Sequence, residues 1–234
     1  PITFSSGVKS SIDSTYGLYI SDPFWAPTKP GSVGYSYICT TVANSSLLVP
    51  GGHGGLSGTA RENRGLGEGV MVGDTTATGG TPTLYDTRTF GPAAILGYYP
   101  TGKPAPQSFA LIGDSHLAGS DDTIMGRGLG GWGVRMCTQQ YGGRYDTTKG
   151  CRAPFIPLAK GGESFTEFLA NSTVRAATMR YVTDVLIETS NHDDEGGATA
   201  AQWKALIQQM VAVAALYPRF KRIVVTTAYP KASS

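Results

Sequence analysis

Four short apolar runs in the second half of the chain, each followed by glycine or polar residues and then by a helix-forming stretch, constrain the fold most. They are 109–112 (FALI), 155–158 (FIPL), 182–187 (VTDVLI) and 222–228 (RIVVTTA). Each is too short for a helix of ordinary length, and the β-branched, nearly unbroken apolar character suits strands covered on both faces of a parallel sheet. The intervening stretches carry helical signals. Over 199–217, Trp203, Leu206, Ile207, Met210, Val213, Ala214 and Tyr217 recur on one face, Thr199 and Gln202 form a capping box, and Pro218 ends the run. Ser164 and Glu167 form a second capping box just after Gly162. Strand alternating with helix predicts an α/β domain with right-handed crossovers over residues 108–234.

The first 107 residues read differently. They hold most of the 14 Pro and over half of the 32 Gly, and show no helical periodicity. Short runs at 33–42 (VGYSYICTTV), 69–72 and 93–99 (AAILGYY) lie between Gly, Pro, Ser and Thr clusters. That pattern predicts a β-sandwich or jelly-roll-like accessory domain over 1–107. Gly102-Lys103-Pro104-Ala105-Pro106 then makes a stiff polar connector, which sets the domain boundary.

Charge excludes some partners. Nineteen basic and seventeen acidic side chains leave a net charge of +2 without a basic stripe, so nucleic acid is not expected as a partner. No apolar run approaches the roughly 20 residues that span a bilayer, and the start at Pro1 is neither an initiator Met nor a signal peptide. The expectation is a soluble segment of a longer gene product. Cys39, Cys137 and Cys151 have no zinc-type spacing. They are either three buried thiols or one free thiol plus a Cys137–Cys151 pair, whose 14-residue loop would add about 3 kcal/mol if closed. The sequons at Asn44 and Asn171, with that cysteine usage, point to an extracellular or periplasmic location.

In parallel α/β sheets ligands bind outside the carboxyl ends of the strands. Here those ends carry Gly113-Asp114-Ser115-His116, Gly161-Gly162-Glu163-Ser164 and Glu188-Thr189-Ser190-Asn191-His192-Asp193. A serine at one end, a bare glycine amide at the next and an asparagine amide at a third would give a nucleophile facing an oxyanion hole, the arrangement for acyl transfer. Ala110-Leu111-Ile112-Gly113-Asp114-Ser115 resembles the first block of the SGNH (GDSL-type) hydrolases, with Gly162 and Asn191 where that family's second-block glycine and third-block asparagine would be. The third block departs from the family's G-x-N-D at Thr189 and His192.

The resemblance implies a three-layer α/β/α domain and metal-independent ester hydrolysis. Its implied catalytic residues are Ser115 as nucleophile, with Gly162 and Asn191 as oxyanion donors, and no cofactor or metal. The family's base is a histidine in an Asp-x-x-His segment after a fifth strand. Four strands are counted before Ser234, so that segment is expected on a C-terminal fragment of the same precursor. His116, His192 and His53 are weaker candidates for the base. His53, in Gly51-Gly52-His53-Gly54-Gly55, reads as a flexible turn, since no G-x-S-x-G elbow accompanies it. Gly126-x-Gly128-x-x-Gly131 begins too far after its strand for a dinucleotide site. Asp121-Asp122 and Asp193-Asp194-Glu195 lack metal-ligand spacing. The expected function is a secreted serine esterase acting on a small-molecule or carbohydrate ester, O-acetylated sugar first. The alternative is a non-catalytic carbohydrate-binding or surface-structural module on a degenerate form of the same fold.

Overall fold

The computed structural model describes residues 6, 20–25, 96–97, 102, 104, 106–118, 131–138, 140–141, 144–145, 148, 150–189, 192–217 and 222–227. By packing the chain divides into Pro1–Tyr37 and Ile38–Ser234. In the first unit the Ser6 amide donates to Asp22 Oδ1 at 2.8 Å, and Ile20, Phe24 and Trp25 are exposed. The sandwich expected over 1–107 lies almost wholly outside the described residues, as do Cys39 and His53.

The second unit contains the parallel sheet. Its strands are β1 (Phe109–Ile112), β4 (Phe155–Pro157), β5 (Asp184–Ile187) and β6 (Arg222–Val225), in the order β4-β1-β5-β6, all parallel. Between them lie helices α1 (Ser115–Ala118), α2 (Trp132–Thr138), α3 (Phe165–Asn171), α4 (Thr173–Ala176), α5 (His192–Glu195) and α6 (Ala200–Ala215). A short antiparallel pair, β2 (Gln140–Tyr141) and β3 (Arg144–Tyr145), follows α2. Each of the four expected apolar runs contains a strand. The third begins two residues later than expected, at Asp184, because the Val182 amide closes the preceding 3₁₀ turn onto the Met179 carbonyl.

Period-two alternation divides the core between the faces of this sheet. Ala110, Ile112, Val185 and Ile187 point to one face, against Phe165 and Phe168 of α3 and Met210 and Ala214 of α6. Phe109, Leu111 and Leu186 point to the other, against Leu117 of α1 and Val134 and Cys137 of α2. Helices therefore cover both faces. The chain moves from β1 to β4 across the α2 face, then back past β1 to β5 across the α3 face, then outward to β6 under α6. Reversing both direction and face keeps all three crossovers the same hand, as parallel connections require.

Both capping boxes form. Ser164 and Thr199 accept from the amides of Glu167 and Gln202, whose side chains return to the cap amides. Hydrogen bonding to the Ser164 backbone holds the exposed Glu167 carboxyl below its ordinary range. Among the described residues no helix is long and apolar enough to cross a membrane.

Candidate functional site

The connection leaving β1 goes to one face of the sheet, while those leaving both neighbours, β4 and β5, go to the other. Such reversals open crevices at the carboxyl ends of the strands. Gly113, Asp114 and Ser115 leave β1 between the two points where the connections change face, and Ser115 is half-buried as the first residue of α1.

What shapes this turn is Glu188, at the end of β5 and fully buried. Its Oε2 accepts from the amides of Asp114 (3.3 Å) and Leu117 (3.0 Å), and its Oε1 accepts from the indole of Trp132 (2.6 Å). Gly113 has to be glycine for this packing. A Cβ there would fall 2.5 Å from Glu188 Oε2 and 2.8 Å from Glu188 Cβ. Gly133 plays the matching part in α2, where a Cβ would collide with Leu117. The two short helices thus pack closely around the carboxylate.

A helix leaves its first amides without intrahelical acceptors. In α1 the His116 amide donates to Asp114 Oδ1 (2.9 Å) and the Leu117 amide to Glu188, while the Ser115 amide has no partner among the described residues. Asp114 is itself buried, and its Oδ1 also lies 3.1 Å from His116 Nδ1. When Nδ1 is the donor in that contact, Nε2 carries the lone pair, the form of imidazole that can take a proton. The His116 side chain is more than half exposed.

Gly162 leaves the adjacent strand, β4. The Lys160 amide donates to the Gly113 carbonyl (3.1 Å), tying this exit to that of β1. The Glu163 amide then closes a turn onto the Lys160 carbonyl (3.2 Å) with Gly162 third, at φ 75°. That is a type II turn, whose third position favours glycine. The Gly162 amide is not used in closing the turn and, like that of Ser115, has no partner among the described residues. Buried Glu163 anchors the loop through Arg175, which also bonds Ser172 and stacks 5.0 Å from the Phe168 ring centroid.

Asn191 lies outside the described residues. The strand before it, β5, is paired in register with β1, and the Thr189 amide at its end donates to Thr226 Oγ1 (3.1 Å) after β6. The structure thus places Ser115 and Gly162 at the exits of neighbouring strands. His192, half-buried, lines a cavity of about 540 Å³ with Ser164, Thr166 and residues of α6. Asp193 caps α3, accepting from the Phe165 amide (2.7 Å) and the Thr166 hydroxyl (2.9 Å). No metal-holding group of His, Cys, Asp or Glu occurs among the described residues. Asp121, Asp122, Gly126 and Gly128 lie outside them. Sequence reasoning missed Glu188. The available signal was an acidic residue closing an otherwise apolar buried run.

In comparison with known proteins, no family model matches this chain and no curated protein matches it.

Proposed function

We propose that the protein is a serine ester hydrolase of the SGNH type, with Ser115 as nucleophile. The observation that carries the reading is the pattern of amides around this serine. Asp114 and Glu188 occupy the next two helix-start donors, while the Ser115 amide, and the Gly162 amide on the adjoining strand exit, have no partner among the described residues. Unpartnered amides following a serine-bearing strand are what an oxyanion hole uses, because donors held in place before reaction need no reorganisation as charge develops.

In this mechanism the Ser115 hydroxyl attacks an ester carbonyl, and its proton passes to an imidazole base. The carbonyl oxygen becomes an oxyanion held by the amides of Ser115 and Gly162 and the side-chain amide of Asn191. Collapse releases the alcohol, protonated by the imidazolium, and leaves an acyl-enzyme; water, activated by the same base, then releases the acid. The resemblance assigns the imidazole to an Asp-x-x-His segment. The substrate class is a small carboxylic ester, with O-acetylated carbohydrate as first choice, and the proposed setting is extracellular or periplasmic. Hydrolysis of p-nitrophenyl acetate by the wild type and by Ser115→Ala tests the reading. Activity abolished by the substitution supports it. Equal activity in the two folded proteins overturns it, and a folded wild type with no activity above the spontaneous rate overturns it in favour of a non-catalytic binding module.

A further inference from the structure

Two of the three cysteines come together on the α2 side of the sheet. Cys137 is the penultimate residue of α2 and is buried under the sheet. Cys151 is half-buried in the segment leading into β4. Backbone hydrogen bonds join the two segments. The Cys151 amide donates to the Met136 carbonyl (2.7 Å), and the Ala153 amide donates to the Cys137 carbonyl (3.0 Å). Since the first of these carbonyls belongs to the peptide group that enters Cys137, the two α-carbons are held at roughly the 4.4–6.8 Å that a disulfide spans. Cys151 also packs against the buried cluster that contains Cys137. Both are thiols in this structure.

We propose that Cys137 and Cys151 are a disulfide-forming pair, joined by thiol–disulfide exchange with a small-molecule disulfide such as oxidised glutathione. The more accessible Cys151 acts first. Its thiolate attacks one glutathione sulfur, the glutathione S–S bond breaks, and one reduced glutathione leaves. The Cys137 thiolate then attacks the Cys151 sulfur and expels the second glutathione. Two protein thiols are oxidised, one glutathione disulfide is reduced to two thiols, and the two cysteine protons end on the departing glutathiones. The bond closes the excursion that carries β2 and β3. It also braces α2, whose first residue, Trp132, donates to Glu188.

The test is peptide mapping of the folded, full-length chain after incubation with oxidised glutathione and alkylation of remaining thiols. Trypsin cuts after Arg135, Arg144, Lys149 and Arg152, so the pair would appear as peptide 136–144 linked to peptide 150–152 and disappear on reduction. The expected result is that linked species, with Cys39 alkylated, and a melting temperature higher than that of the reduced chain by roughly 5–10 °C. The Cys39→Ser variant should give the same link. Cys137 and Cys151 both recovered alkylated, either one linked to Cys39, or glutathione retained on Cys151 with Cys137 still a thiol would each overturn the proposal.

Discussion

Glu188 illustrates how much a single side chain decides around Ser115. Its two carboxylate oxygens accept from three N–H groups: two amides of the turn and the Trp132 indole. Replacing one oxygen by an NH₂ group turns a donor toward a donor, so Glu188→Gln should destabilise the fold by about 1–3 kcal/mol. Urea titration measures this, and nucleophile reactivity should fall with it, because the same carboxylate shapes the Ser115 turn. Cys137 offers a second test at this scale. Burial first, then the charge and hydrogen bond of Cys151, push its thiol from 9.0 up to about 12. Since the folded value is the raised one, the thiol's contribution is fully present below about pH 9. It is lost progressively as pH rises toward 12, because the unfolded chain releases its proton first. Under reducing conditions the urea midpoint should therefore fall between pH 9 and 11, and Cys137→Ala should flatten that decline.

At the scale of elements, the loop carrying Gly162 depends on an ion pair behind it. Glu163 is buried and Arg175 only a quarter exposed, so removing the guanidinium takes the nearer cation from an interior carboxylate, whose contact to Lys160 Nζ is longer at 3.9 Å. Arg175→Ala should cost about 3 kcal/mol, the lower end expected for breaking a buried pair; thermal unfolding checks this. The capping boxes at Ser164 and Thr199 were legible in the sequence because their partners stand three residues apart and local spacing determines the bond. Glu188 was not. Its backbone partners are 71 and 74 residues away, and an acidic residue closing an apolar run does not show which strand's turn it will cap. The β2–β3 pair was missed for a related reason: two residues per strand give no readable alternation. The beginning of β5 was placed too early because Val182 is as apolar as a strand residue, yet its amide closes a turn.

For the molecule as a whole, four buried runs announced a parallel sheet, but their order could not be read from them, since apolar strands do not encode their neighbours. The observed order places the Ser115 strand in the interior, between the Gly162 strand and the strand preceding Asn191. The proposed site thus draws on three successive strand exits, and Asn191→Ala should lower kcat by on the order of 10²–10³ while leaving the melting temperature nearly unchanged. The most direct test of the central claim is covalent labelling with a fluorophosphonate, of the protein together with the Asp-x-x-His segment that supplies the proposed base, followed by peptide mapping. The account predicts one adduct per chain, on Ser115, absent from Ser115→Ala. An adduct on another residue, or none on a folded chain, would contradict it.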